Sequence, residues 1–303
     1  MQPMSAVEPI DVAEPAPARP AGFEVRRAAL PGAPPPTPVI FASPHSGRLY
    51  PEDMMSAAAL DARAIRRSED AFVDQLVEAA PAAGAALITA SYARAYIDVN
   101  RDAFELDPGM FIDELPDFAR SRTARVAAGL GAIAKVVSEG QEIYARKLTF
   151  AEAQGRIDGA HRPYHAALTQ LIAEAQAAHG VAILVDWHSM PSIAARAAGV
   201  GGCDMVLGDR FGAACSNTLT RLVEREFEAR GYRVVRNTPY AGGYTTEHYG
   251  RPARRVHALQ IELNRALYLD EDALAPTPGF TRLKVDIEAL TAALTAEAWS
   301  GRL

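Results

Sequence analysis

Val181-Ala182-Ile183-Leu184-Val185-Asp186-Trp187-His188-Ser189-Met190-Pro191 is the stretch whose reading decides the fold. It opens with five apolar residues, three of them β-branched, which read as a fully buried strand. The run gives way to Asp-Trp-His-Ser, and Pro191 blocks its continuation. In open α/β sheets, ligands bind beyond the carboxyl ends of the strands, so His188 stands where chemistry occurs. An isolated histidine there is more often a solvated loop residue. A second apolar run of the same kind changes that weighting: residues 38–43 (PVIFAS) are followed by Pro44-His45-Ser46-Gly47. Two histidines at the tips of two buried strands suggest convergent ligands for one metal ion.

Working outward, residues 85–89 form a further strand, with a helix expected between it and residues 38–43 from the spacing of Phe72, Val73, Leu76 and Val77. Strand, helix, strand is the rhythm of a βαβ unit. Glu69 and Asp70 fall at the start of that helix, as capping carboxylates or as a ligand completing a metal shell; the spacing leaves both readings open. Residues 96–100 alternate imperfectly as a strand, and Asp98, Asn100, Arg101 and Arg94 crowd into eight residues. An asparagine beside an arginine offers fixed donors for a carboxylate, and the guanidinium fork binds it bidentately. A helix is expected over 126–137, with limits blurred by Gly129, Gly131 and Gly140. Another is expected over 163–179, ended by Gly180, and a third over 217–230, capped by Gly231. Residues 204–208 and 232–235 read as strands, and 281–298 as the last helix. The polar segment 241–250 reads as a long, site-forming loop, with Tyr244 and His248 as substrate-binding candidates. In Val256-His257-Ala258-Leu259-Gln260-Ile261-Glu262-Leu263-Asn264 an acidic residue sits among apolar ones. Such a carboxylate costs several kcal/mol unless it is paired or faces a cleft; the alternative is an edge strand with Glu262 in water.

Composition bounds the function. In a chain of 303 residues, 49% hydrophobic content supplies a large core and excludes global disorder. A net charge of −6 with no long basic run argues against nucleic acid as a partner. Cys203 and Cys215 are too few for a disulfide framework or a four-cysteine zinc site. No basic-then-apolar signal and no run of membrane-spanning length is present, so a soluble cytoplasmic protein is expected. Residues 1–36, rich in Pro, Ala and Glu, read as a disordered leader with a short edge strand at Phe23-Glu24-Val25; residues 37–303 read as one catalytic domain.

These parts support one chemistry. His45, His188 and a carboxylate from the 69–70 pair would hold one Zn²⁺ and leave a position open for water, as catalytic zinc sites do. A separate carboxylate, Glu262, would take the water proton and deliver it to the leaving nitrogen. Arginine and asparagine nearby would hold an anionic substrate.

The segments SPHSG (43–47), YARAYIDVNR (92–101), RPYHAAL (162–168), DWHS (186–189), GGYTTEHYG (242–250) and HALQIELNRALYLDE (257–271), in this order, resemble the N-formylglutamate amidohydrolase family. The resemblance spans about residues 37–272. It implies kinship with zinc carboxypeptidases and aspartoacylases, hence a three-layer α/β/α sandwich with a mixed central sheet. It implies His45 and His188 as metal ligands, Asn100 and Arg101 of the Asp-x-Asn-Arg signature as contacts for the substrate carboxylate, Glu262 as general base, and Arg94 as an oxyanion or carboxylate contact. The relatives place a glutamate three residues after the first histidine, where this chain has Arg48; Asp70 is therefore preferred as the third ligand, with Glu69 as the alternative. The implied reaction is zinc-dependent hydrolysis of N-formyl-L-glutamate, a small anionic substrate, to formate and glutamate, a late step in histidine breakdown. The rivals are another zinc hydrolase of the same fold, such as an N-acyl amino acid deacylase or a carboxypeptidase-like peptidase, and a metal-free binding module.

Overall fold

The computed structural model describes residues 20–28, 32–137, 140–198 and 201–303. Its frame is a sheet of seven strands: β1 (Phe23–Arg26), β2 (Val39–Ser43), β3 (Ala86–Ala90), β4 (Ala182–Met190), β5 (Met205–Gly208), β6 (Val234–Arg236) and β7 (Val256–Asn264). They lie in the order β1-β3-β2-β4-β7-β5-β6. The central four, β3-β2-β4-β7, are parallel; β1 runs antiparallel to β3 and β5 antiparallel to β7, which makes the sheet mixed. Both faces are covered. On one, Val39, Phe41, Val185, Trp187, Ile261 and Leu263 pack with the helices Asn217–Glu228 and Gly279–Ala296. On the other, Ile40, Ala42, Leu184 and Ala258 meet Tyr164, Leu168 and Leu171 of the helix Arg162–His179. Two-sided burial explains the unbroken apolar runs. A separate apolar cluster, around Met54, Tyr96, Ile133 and Leu148, is built from residues outside the sheet strands.

Several expectations change. β4 does not stop at Val185: it runs to Met190, because β7 pairs with it from Ala182↔Val256 to Met190↔Asn264. His188 is therefore a buried strand residue rather than a loop residue beyond the tip. β2 accompanies β4 only as far as Ala42↔Asp186 and then turns away, which opens a crevice beside the second half of β4. The helix expected from Asp70 shrinks to one turn, Val73–Leu76, preceded by Phe72 in a left-handed conformation (φ 64°). Residues 96–100 form turns rather than a strand, and 126–137 contains only the turn Ala124–Ala127 before Gly129 takes a positive φ of 76°. The segment 241–250 is not a loop throughout; Tyr244–Tyr249 is helical. Within the expected leader, residues 1–19 and 29–31 lie outside the described residues, whereas Phe23–Arg26 is the edge strand β1. Among the described residues no helix is long and apolar enough to cross a membrane.

Candidate active site

Strand alternation builds one wall. Asp186 and His188 on β4 share a face, with Trp187 turned into the opposite core. On β7, Gln260 and Glu262 share the same face, and the register sets Asp186 beside Gln260 and His188 beside Glu262. β7 lies between β4 and β5, so Glu262 is buried in an interior strand, not on an edge. Its partner is Gln260, whose Nε2 donates to Oε1 at 2.7 Å, while the Gly243 N–H donates to Gln260 Oε1 at 2.7 Å. Burial, with Asp70 nearby adding to it, raises the Glu262 carboxyl to about 7, although His188 and Arg94 pull the other way. A carboxyl near neutrality is poised to accept and return a proton.

Coil segments build the facing wall. His45 follows β2 in the SPHSG turn, and Ser46 ties that turn to the third ligand segment. Its hydroxyl donates to the Asp70 carbonyl (3.0 Å) and accepts the Asp74 N–H (3.1 Å). Asp70 N–H donates to the His45 carbonyl at 3.1 Å. Gly47 serves close approach, since a Cβ there would lie 2.1 Å from the Tyr92 carbonyl oxygen. Asp70 is thereby drawn off the helix start and into the interior. Glu69 is also buried, but its carboxylate is taken by the Tyr50 hydroxyl (2.6 Å) and Arg66 (3.1 Å).

The walls meet at three atoms. His45 Nδ1 and His188 Nδ1 are 3.0 Å apart, and Asp70 Oδ2 lies 3.2 and 3.1 Å from them. All three side chains are buried, and together they can hold a metal ion. Zinc bonds of about 2.0–2.1 Å arranged tetrahedrally give ligand separations of roughly 3.3 Å, close to this triangle. The outer nitrogens support the same reading: His45 Nε2 faces Asp98 Oδ1 at 2.7 Å, and His188 Nε2 faces Asp186 Oδ2 at 2.9 Å. A carboxylate behind each imidazole fixes the tautomer that turns Nδ1 to a metal. The Asp186 contact is short but poorly directed, and neither Asp186 oxygen has a well-formed hydrogen bond. Burial disfavours charge on Asp70 and Asp98, yet hydrogen bonds from the two histidines and the charge of Arg94 hold Asp70 well below the ordinary carboxylate range. His45, Arg101 and Arg94 do the same for Asp98. Burial also disfavours charge on His188, but Asp186 and Asp70 outweigh it and raise its pKa.

The cluster opens into a cavity of about 600 Å³ lined by Arg67, Arg94, Asn100, Arg101, Tyr240 and Glu262, among others. Arg94 donates to Asp98 at 2.8 Å and lies 3.8 Å from Asp70. Arg101 donates to the Leu130 and Asn100 carbonyls. The Asn100 carboxamide is anchored by Oδ1, which accepts the Thr245 N–H (2.8 Å). Its Nδ2 lies 3.1 Å from His188 Nε2; with that nitrogen protonated toward Asp186 the contact is packing rather than a hydrogen bond. Tyr244 and His248 are not brought to this cavity. They sit one helical turn apart, stack at 4.9 Å, and line a neighbouring depression with Arg120, Arg210 and Arg251. From that segment the cavity receives residues 241–243 instead.

Three residues at the centre carried no assigned role in the sequence. Asp186 and Gln260 lie two positions before His188 and Glu262, so period-two alternation could have found them. Arg265 donates to Asp70 Oδ1 (3.0 Å) and Ser189 Oγ (3.1 Å); only its position just after β7 marks it.

A buried imidazole–carboxylate–imidazole group beside a buried glutamate, opening into a cavity next to the parallel strands, has the make-up of an active site in an α/β enzyme. The family model for N-formylglutamate amidohydrolase matches residues 37–269. The chain belongs to the N-formylglutamate amidohydrolase family. The N-formylglutamate deformylase of Pseudomonas putida is 30% identical over 237 residues, covering 77% of this chain and 82% of that protein. That of Pseudomonas aeruginosa is 29% identical over 239 residues, covering 78% and 84%. The crystal structure of N-formylglutamate amidohydrolase from Ralstonia eutropha JMP134 superposes with a TM-score of 0.85 at 38% identity, covering 93% of this chain and 99% of that one. An Agrobacterium tumefaciens protein at 17% identity shares the fold, with a TM-score of 0.62 over 93% and 96% of the two chains.

Proposed function

We propose that this enzyme hydrolyses the formyl amide of N-formyl-L-glutamate, releasing formate and L-glutamate, with one Zn²⁺ held by His45, His188 and Asp70. The observation that carries the reading is the convergence of His45 Nδ1, His188 Nδ1 and Asp70 Oδ2 within 4.8 Å of one another. Zinc bound there would supply Lewis acidity and make the attacking water easier to deprotonate. Glu262, beside His188 across the strand pair, takes the proton from the attacking water and returns it to the amide nitrogen as the C–N bond breaks. Gln260 orients that carboxylate through its 2.7 Å hydrogen bond. Arg94, held against Asp98, stabilises the negative charge that develops on the formyl oxygen. Arg101 also lines the cavity, and its charged guanidinium pairs with the substrate carboxylate. The same reading makes the fold a relative of that of the zinc carboxypeptidases.

A second reading is hydrolysis of a larger N-acyl amino acid. Its support is the cavity volume of about 600 Å³ and the apolar side formed by Ala128, Leu130, Ala134 and Val136. The test is a substrate panel of N-formyl-L-glutamate, N-acetyl-L-glutamate, longer N-acyl glutamates and a dipeptide. Each is assayed before chelation, after it, and after zinc is restored. We expect formate release to dominate, to disappear on chelation and to return with zinc. Preferred turnover of a longer acyl group would select the second reading, and turnover unaffected by chelation would remove zinc from both.

A further inference from the structure

The RPYHAAL segment, at the start of the helix Arg162–His179, has no part in the chemistry above, although it lies behind the site. The helix is entered through a π turn, Ile157–His161, which places His161 and His165 with ring centroids 4.4 Å apart. Their ring nitrogens reach one coil segment of the site. His165 Nε2 lies 2.8 Å from the Val99 carbonyl oxygen, and His161 Nε2 lies 2.9 Å from that of Arg101. A carbonyl only accepts, so each Nε2 carries the proton, and both rings use the same tautomer. The other nitrogen of His165 accepts from the Tyr249 hydroxyl at 2.8 Å, which fixes that tautomer. Both histidines have pKa values lowered, chiefly by burial, in keeping with neutral donors.

The two carbonyls they hold belong to the residues flanking Asn100. The Asn100 carboxamide touches two parts of the site. Nδ2 packs 3.1 Å from His188 Nε2, a contact between two donors that limits where the ring can lie rather than a hydrogen bond. The same group also packs on Gly243, where a Cβ would stand 2.4 Å from Nδ2. Gly243 in turn donates to Gln260, and Gln260 to Glu262. Residues 99–101 are not in a strand, so no sheet ladder fixes them. A carbonyl there could be satisfied by water as well as by a ring.

We infer that His161 and His165 are positioning residues: they clamp the carbonyls on either side of Asn100 and so set the orientation of His188 and, through Gly243 and Gln260, of Glu262. The effect on turnover rests on the function proposed above; the effect on metal affinity does not. Wild type, His165→Leu, His165→Gln and Tyr249→Phe, each as full-length protein loaded with zinc, are compared for kcat and KM on N-formyl-L-glutamate. Zinc affinity is measured by chelator competition, and Tm for each. We expect His165→Leu to weaken zinc binding about tenfold, the low end of the effect of losing support behind a metal ligand, and to lower kcat about tenfold with KM within twofold. His165→Gln keeps an N–H for the Val99 carbonyl and is expected to recover most of both losses; Tyr249→Phe shows a two- to fivefold loss of each. Wild-type kcat and zinc affinity in His165→Leu overturn the inference. So does equal impairment of the Leu and Gln variants with equal falls in Tm, which assigns His165 to stability alone. Should His165→Leu not fold, unchanged zinc affinity and kcat in Tyr249→Phe overturn it. Should wild type not hydrolyse the substrate, the proposed function fails, and the zinc affinities alone decide the clamp.

Discussion

The two walls of the cavity carry matching chemistry on unlike supports. Each presents an imidazole with a carboxylate behind it: Asp186 behind His188 on the strand wall, and Asp98 behind His45 on the coil wall. On the strand wall, position is set by the β4–β7 register, and Asp186 has little to do beyond facing His188. On the coil wall Asp98 also receives the Asn100 N–H (2.8 Å) and Arg94 (2.8 Å), with Arg101 at 3.9 Å. The difference teaches that a backbone ladder can place a functional group for which a coil needs a buried polar network. Such a network is costly to leave half satisfied.

The largest expected effect would break the comparison at its meeting point. His188→Ala should abolish zinc binding and bring turnover below detection; metal analysis with retained zinc and normal rate would show that the walls do not share an ion. Next is Glu262→Gln, which keeps the shape of the strand wall but removes the carboxyl proposed to carry the proton. We expect zinc retained and kcat lowered about 10²–10⁴-fold, read by steady-state kinetics; near-normal turnover would remove Glu262 from the role of base.

The matched pair Asp98→Asn and Asp186→Asn sharpens the comparison directly. Breaking a buried ionic network by removing one member costs about 3–5 kcal/mol, so Asp98→Asn should lower urea stability by that order. Asp186→Asn should cost under about 2 kcal/mol, the scale of one altered buried hydrogen bond. Equal losses would mean that register does not relieve the strand wall of its dependence on polar contacts.

The smallest effect lies outside both walls and serves as a control. Hydrogen bonding to Arg146 lowers the Glu152 carboxyl to about 2, against some burial and with help from the Thr149 backbone. The sign follows from linkage: the folded pKa is depressed, so the stabilisation is present above the unfolded value of about 4.5 and is lost as pH falls through about 2. Arg146 is exposed, so solvent screens the pair and the contribution is small. The urea midpoints of wild type and Glu152→Gln should therefore differ slightly at pH 6 and converge as the pH approaches 2, with site chemistry unaffected.

How much was legible follows the same division. His45, His188 and Glu262, which the fold brings to one cavity, stood out because buried strands announce themselves as apolar runs, and a polar residue inside one or just beyond it is conspicuous. Asp70 could not be separated from Glu69 by spacing, since the two are neighbours and both are buried; their partners separate them, Glu69 going to Tyr50 and Arg66 and Asp70 to the histidines. Tyr244 and His248 drew attention through a polar segment read as a loop. Helical geometry turned both toward the adjoining depression. Asn100 was read as a substrate contact from its neighbour Arg101, and its partners Thr245 and His188 come from distant parts of the chain.

By itself the sequence determined the alternation of buried strands and helices and marked His45, His188 and Glu262 as candidates for metal and proton chemistry. Those properties reside in local hydrophobicity and side-chain chemistry. Only the tertiary structure decided which carboxylate meets the histidines, that β4 carries His188 inward past the point where β2 leaves it, and that Arg265 and Asp186 stand behind Asp70 and His188. Those are facts of register and of contacts across long separations, which no local pattern encodes.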